Sequence, residues 1–98
     1  LYNIDLIKMS FIRYKNNKLF VENTIVKSIA SKYDTPFYLY SNKNIVENYK
    51  SFYSNFKKVS PLICFSVKAN SNVEVLKILK RLGSGADVVS GGELLKAS

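Results

Sequence analysis

The run from Ile63 to Asn70 (ICFSVKAN) is the part of the chain best suited to chemistry. In a β-strand, successive side chains point to opposite faces, so a strand here would place Cys64, Ser66 and Lys68 on one side. Catalytic groups of parallel α/β proteins gather at the carboxyl ends of strands. An inward-facing, desolvated Lys68 at such an end could act as an amine nucleophile toward a carbonyl. Spacing alone favours the alternative, a solvated lysine at the start of a loop.

The composition excludes several other kinds of site. The chain has 98 residues, of which 47% are hydrophobic, and this predicts one small globular unit. It has no histidine and a single cysteine, Cys64, so it cannot supply a His-based triad, a His-ligated zinc site or a disulfide framework. We expect no metal site, and we expect Cys64, which lies in an apolar run, to be a buried structural thiol.

The formal charge of +8, from 15 Lys and Arg against 7 Asp and Glu, raises the question of nucleic acid or an anionic membrane. The basic residues are spread along the chain, and the densest cluster is only the pair Lys57-Lys58. We therefore expect neither partner, although a small basic nucleic-acid-binding module remains an alternative.

Nothing in the sequence indicates export or insertion into a membrane. No apolar stretch approaches the roughly 20 residues that span a bilayer, and residues 1–10 lack a signal-peptide pattern, which predicts a cytoplasmic protein. Leu1 in place of the usual Met predicts a fragment of a longer protein, or translation that starts at Met9.

The first part of the chain predicts a β-hairpin followed by a helix. Two short β-prone runs, Phe11–Tyr14 and Leu19–Val21, flank an Asn-containing turn. Thr24 is positioned to cap a helix whose apolar residues begin at Ile25. These elements make up the first predicted domain, residues 1–34.

After Pro36 the pattern alternates between strands and helices. Strands are predicted at Phe37–Tyr40, Leu62–Val67 and Ala86–Val89. The helices between and after them are predicted to be capped by Ser41 or Asn42, by Ser71 with Glu74, and by Ser90 with Glu93. This alternation is typical of an α/β fold with a parallel sheet, and it defines the second predicted domain, residues 35–98.

Three motifs in this order and spacing resemble the N-terminal part of the diaminopimelate decarboxylases, a family of pyridoxal 5′-phosphate-dependent decarboxylases of fold type III. They are Thr35–Tyr40, Ser66–Asn72 and Gly85–Leu94 (GADVVSGGEL), and the resemblance extends over about residues 11–98. It implies the N-terminal portion of a (β/α)₈ TIM-like barrel, preceded by a hairpin that belongs to a separate β domain. A complete barrel needs about 250 residues, so the rest would lie beyond this chain.

The resemblance also implies roles for individual residues. Lys68 matches the family's Schiff-base lysine, which would make it both the catalytic residue and the point of cofactor attachment. Asp87 matches a carboxylate near the cofactor; the alternative is a strand-end carboxylate that is only hydrogen-bonded or solvated. Ser90 and Glu93 match the rim of the cofactor site, but a capping box explains both residue types equally well.

The activity implied by the resemblance is decarboxylation of meso-diaminopimelate to L-lysine by a full-length homodimer, with a small amino acid as the substrate. Two alternatives remain open: another fold-type III amino-acid decarboxylase, and a non-catalytic truncated remnant. The family's phosphate-binding loops and ring-nitrogen partner lie later in the barrel, so we expect the isolated chain to be inactive and marginally folded.

Overall fold

The computed structural model describes residues 11–98, which divide along the chain into two compact units. The first ends at Asn44 and the second comprises Ile45–Ser98. Met9, the expected alternative start, and the rest of residues 1–10 lie outside the described part. The division into a β-domain segment, residues 1–34, and a barrel segment, residues 35–98, stays a prediction because it concerns the complete protein.

A three-stranded antiparallel sheet forms most of the first unit. Its strands, in sheet order, are β1 (Ile12–Lys15), β2 (Lys18–Val21) and β3 (Thr24–Ile25). Asn16 and Asn17, with φ angles of 52° and 61°, form the two-residue turn between β1 and β2. Positive φ at both central residues matches the twist of a hairpin, and asparagine tolerates it better than most residues. The predicted hairpin is therefore confirmed.

The predicted cap of the first helix is wrong. Helix α1 (Val26–Ala30) follows Ile25, which provides no side-chain cap. Thr24 instead pairs with Val21 in the sheet. Because the backbone of Thr24 is part of β3, its side chain is too early in the chain to cap the helix.

The segment Phe37–Tyr40, predicted to be a buried strand, forms no regular secondary structure. Tyr38 is 89% exposed, and its ring stacks on that of Tyr40 with 6.4 Å between centroids. A strand needs a neighbour to pair with its backbone N–H and C=O groups, and no segment of residues 11–98 pairs with this one.

The longest helix of the described part is α2 (Asn42–Phe56), which begins after Ser41, one of its two expected caps. Ser41 Oγ accepts a hydrogen bond from Asn44 N at 3.0 Å and donates one to Glu22 Oε2 at 3.0 Å. The aromatic residues near its end, Phe52 and Phe56, are 55% and 49% exposed. None of the helices in residues 11–98 is long and apolar enough to cross a membrane.

The second unit contains a β-α-β arrangement followed by a short helix. Besides most of α2, its regular elements are β4 (Cys64–Ser66), α3 (Val73–Arg81), β5 (Gly85–Asp87) and α4 (Gly91–Ala97). Short 3₁₀ turns cover Lys57–Val59 and Val67–Ala69. Strands β4 and β5 are parallel, with Cys64 opposite Gly85 and Ser66 opposite Asp87. The expected α/β class is confirmed, although both strands are shorter than predicted.

Helix α3 packs the core of the second unit through Val75 and Leu79, which are buried together with Val67. Its N-cap is Asn72, whose Oδ1 accepts from Glu74 N at 2.9 Å and Val75 N at 3.4 Å. The predicted capping box of Ser71 and Glu74 is therefore wrong, because the helix starts one residue later and an asparagine cap satisfies its first N–H groups.

Candidate functional site around Lys68

Lys68 lies in the 3₁₀ turn Val67–Ala69, which directly follows β4. The side chain of Val67 is fully buried, whereas Lys68 is exposed. The predicted strand alternation is wrong at this point, because the strand ends at Ser66 and a turn with three residues per revolution no longer places every second side chain on one face. The buried Val67 anchors the turn and directs Lys68 away from the core.

An open cavity of about 420 Å³ brings Lys68 together with two of the other predicted site residues, Ser90 and Glu93. The remaining residues that line it are Val67, Ser71, Gly92 and Lys96. Within residues 11–98, the Lys68 amine has no hydrogen bond or ion pair. Polar and charged residues therefore make up most of the lining, which includes an unengaged primary amine, and the cavity opens to solvent.

Ser90 and Glu93 form the predicted cap of α4. Ser90 Oγ accepts from Glu93 N at 3.2 Å and donates to Glu93 Oε2 at 3.3 Å. Glu93 Oε1 accepts from Val89 N at 3.4 Å. The predicted cap is confirmed. The same two side chains also line the cavity of Lys68, so capping does not prevent them from contacting a cofactor there.

Asp87 is exposed at the end of β5, directly opposite Ser66. It does not line the cavity of Lys68. Carboxyl ends of neighbouring parallel strands meet at one edge of a sheet, so Asp87 and the turn that carries Lys68 leave the sheet at the same edge. Asp87 thus shares a sheet end with the turn of Lys68 but does not line its cavity.

Sequence reasoning missed two residues of this cavity, Ser71 and Lys96. Lys96 Nζ donates a hydrogen bond to Ser71 Oγ at 3.4 Å, which links α4 to the loop after Lys68. The available signal was helical spacing: Lys96 follows Glu93 by three residues, so both side chains lie on the same face of α4.

Cys64 is exposed, so the expectation of a buried thiol is wrong. Its Sγ lies over Gly85 on the neighbouring strand, where an added Cβ would come within 2.7 Å of the sulfur. The side chain thus packs across the two-stranded sheet, and no further helix of residues 11–98 buries it. Within the same residues no group of three or more His, Cys, Asp or Glu side chains is arranged to hold a metal ion.

The second unit is thus an α/β arrangement in which a lysine follows the carboxyl end of a parallel strand. Residues 42–98 match the family model described as pyridoxal-dependent decarboxylase, pyridoxal binding domain. The chain belongs to this family. The expected recognition is confirmed, as is the pyridoxal cofactor at the level of the family.

The curated relatives are diaminopimelate decarboxylases. The chain is 45% identical to that of Haemophilus influenzae and 44% identical to that of Pseudomonas fluorescens, in each case over 86 residues, 88% of this chain and 21% of the relative. It therefore spans about a fifth of the length of these relatives.

Solved structures share the fold. A crystal structure from Aquifex aeolicus matches with a TM-score of 0.85 and 40% identity, covering 94% of this chain and 23% of that one. Diaminopimelate decarboxylase from M. jannaschii in complex with L-lysine matches with a TM-score of 0.82 and 35% identity, covering 88% of this chain and 21% of that one. These matches confirm the expected fold: an N-terminal portion of a TIM barrel with an associated β domain.

The residues around the cavity are chemically suited to a pyridoxal cofactor. Lys68 lines the cavity and its amine is unengaged. An amine must be free in this way to attack an aldehyde. Hydroxyls of Ser71 and Ser90 and the amine of Lys96 supply polar contacts around it. The donor set thus combines one nucleophile with several hydrogen-bonding groups.

Proposed function

We propose that this chain is the cofactor-attaching part of a pyridoxal 5′-phosphate-dependent decarboxylase that converts meso-diaminopimelate to L-lysine. The observation that carries the proposal is the position of Lys68, unengaged in an open cavity just beyond a parallel strand. The curated relatives, which are diaminopimelate decarboxylases, support this substrate over those of other decarboxylases of the fold type.

Lys68 is the catalytic residue in this proposal. Lys68 would hold the cofactor covalently through Nζ, the amine nucleophile suited to an aldehyde. With substrate in the site, Nζ of Lys68 would accept a proton as the amine or deliver one as the ammonium. When bound, pyridoxal phosphate supplies an electron sink for the charge left by the departing carboxyl group.

In this proposal three polar residues bind the cofactor and orient the groups around it: Ser90, Glu93 and Asp87. Ser90 holds the Glu93 carboxylate at the cavity wall, because its hydroxyl donates to Oε2 while the backbone of Val89 donates to Oε1. Asp87 lies at the same end of the sheet as the turn that carries Lys68, so its carboxylate would attract the ammonium form of Lys68.

The complete enzyme requires parts that this chain does not contain. We propose that the full-length protein is a cytoplasmic homodimer that acts on a small amino acid and binds neither nucleic acid nor membrane. The isolated chain is expected to be catalytically inactive. With only Val67, Val75 and Leu79 as buried hydrophobic residues in the described part, it is also expected to be marginally stable.

A graft into a relative tests the proposed function. The matching segment of the Haemophilus influenzae enzyme is replaced by this chain, and L-lysine formation from meso-diaminopimelate is measured. We expect activity with the wild-type graft, a loss of about a hundredfold or more with Lys68→Ala, and little change with the control Lys77→Ala. Lys77 is a suitable control because it is exposed on α3, paired with Glu74 at 3.2 Å.

Two results would contradict the proposal. One is equal activity of the wild-type and Lys68→Ala grafts. The other is a folded wild-type graft that binds pyridoxal phosphate and forms no L-lysine.

A further inference from the structure

Glu22 lies in the turn between β2 and β3 with a positive φ angle of 56°. A side chain of this size rarely adopts that conformation unless neighbouring groups hold it. Its backbone N–H donates to Phe11 O at 2.7 Å, its carbonyl accepts from the Arg13 guanidinium, and its carboxylate accepts from Ser41 Oγ at 3.0 Å. Glu22 is therefore fixed to the start of the hairpin and also to a residue outside the hairpin.

Ser41, which the Glu22 carboxylate contacts, is the buried residue at the start of α2. It is 9% exposed, and its Oγ accepts from Asn44 N at 3.0 Å. Because the hydroxyl donates its proton to Glu22 Oε2, the carboxylate sets the orientation in which the hydroxyl oxygen faces Asn44 N. Glu22 thus acts on the first turn of α2 through one intervening hydroxyl.

The first turn of α2 lacks the charge that a helix N-terminus favours. Unpaired N–H groups there carry a partial positive charge, which a nearby carboxylate stabilises and a cation destabilises. The first turn of α2 has no acidic residue, and it contains Lys43. The hairpin compensates for both, because the Glu22 carboxylate approaches through Ser41 and the Lys43 ammonium lies 5.4 Å from the centre of the Phe11 ring.

We propose that Glu22 is a clasp that closes the hairpin onto the first turn of α2, so that the two form and open together. Glu22 and Ser41 are 19 residues apart, and the segment between them contains α1 and the irregular run Phe37–Tyr40. The clasp therefore fixes both ends of this segment. Since Glu22 belongs to the first predicted domain and Ser41 to the second, the clasp would also join these two domains in the complete protein.

Urea unfolding of the chain, followed by circular dichroism, measures the strength of the clasp. Glu22→Ala should lower the equilibrium constant for folding about threefold to tenfold, because Ser41 Oγ loses a charged acceptor. Glu22→Gln keeps an oxygen that can accept from Ser41, so it should recover part of the loss, and the missing charge accounts for the rest. The control Asp34→Asn removes an exposed carboxylate from the same unit and should change the constant less than about twofold.

Two further backgrounds distinguish the clasp from a general effect of Glu22 on stability. Ser41→Ala removes the group that Glu22 contacts, and Lys43→Glu gives the first turn of α2 a carboxylate of its own. In either background, Glu22→Ala should lower the folding constant less than about twofold, because coupled residues are not additive. Trimethylamine N-oxide, present in every titration, raises the stability of the folded chain so that each variant starts folded.

Two outcomes would overturn the proposal. One is a loss in Glu22→Ala that is no larger than the loss in Asp34→Asn. The other is a loss in Glu22→Ala that is the same in the wild-type chain and in the Ser41→Ala and Lys43→Glu backgrounds. The proposal rests on contacts within residues 11–44, and no cofactor enters the experiment, so its outcome is independent of the proposed function.

Discussion

Ser66 lies directly opposite Asp87 in the parallel register of β4 and β5. Because the two strands run in the same direction, the turn that carries Lys68 and the side chain of Asp87 leave the sheet at one edge. This pairing brings an amine and a carboxylate, 19 residues apart in sequence, to the same end of a two-stranded sheet.

Val67 is expected to hold the turn that presents Lys68. It is fully buried, so Val67→Ala removes two buried methyl groups and leaves a cavity, at a cost of about 1–3 kcal/mol in the free energy of unfolding. Urea denaturation followed by circular dichroism measures the loss. The control is Val73→Ala, since Val73 is 45% exposed and should cost less than about 0.5 kcal/mol. Equal losses for the two variants would show that the turn is not anchored by Val67.

Gly85 is expected to accept a side chain only if the thiol of Cys64 moves. A Cβ at this position would lie 2.7 Å from Cys64 Sγ, the end of an exposed side chain that can rotate, so Gly85→Ala should destabilise the chain by about 0.5–1.5 kcal/mol. Thermal unfolding of Gly85→Ala, and of the same change in a Cys64→Ala background, measures the clash. The second substitution should recover most of the loss, and Gly91→Ala, with nothing within 4 Å of its added Cβ, is the control. If Gly85→Ala still loses the same stability in the Cys64→Ala background, the cause is the backbone and not the contact with the sulfur.

Asn72, and not Ser71, is expected to stabilise the start of α3. Asn72→Ala leaves Glu74 N and Val75 N without their side-chain acceptor, which costs about 1 kcal/mol. Ser71→Ala removes only the contact with Lys96 and should cost less than about 0.5 kcal/mol. Chemical denaturation of the two variants, side by side, provides the measurement. A larger loss of stability in Ser71→Ala than in Asn72→Ala would instead support the capping box that the sequence predicts.

Ser90 is expected to serve both as a helix cap and as a contact for the cofactor. Ser90→Ala should lower the free energy of unfolding by about 1 kcal/mol, because Glu93 N loses its acceptor. Ser90→Asp supplies another good N-cap and should recover the stability. If Ser90 also contacts the cofactor, attachment of pyridoxal 5′-phosphate to Lys68 stays weakened in Ser90→Asp. Full recovery of attachment together with stability would limit Ser90 to its capping role.

Local signals in the sequence were sufficient for much of the fold. The two asparagines of the first turn predict a hairpin because few other residues tolerate positive φ there, and both adopt it. The spacing of Ser90 and Glu93 predicts a cap that the hydrogen bonds confirm. The β4-α3-β5 order follows from a switch between periods of two and of 3.6 residues. Each of these features depends on residues close together in the chain.

Features that depend on distant partners were predicted poorly. Phe37–Tyr40 has strand composition but lacks a neighbour among the described residues, and composition cannot report whether a partner is present. Strand alternation was extended to Lys68, although the strand ends at Ser66 and a 3₁₀ turn follows. Lys96 reaches the cavity only because α4 returns to the loop after Lys68, a contact that spans 25 residues. From residue type and spacing alone, Lys96 is predicted to lie on the solvent-exposed face of its helix.

Attachment of the cofactor at Lys68 is the central claim, and selective chemical trapping tests it most directly. The wild-type chain is incubated with less than one equivalent of pyridoxal 5′-phosphate, reduced with borohydride, digested and mapped by mass spectrometry. We predict that the label is found mainly on the peptide containing Lys68, that Lys68→Ala loses it, and that Lys77→Ala retains it. A label distributed over the exposed lysines, or one that is unchanged in Lys68→Ala, would contradict the account.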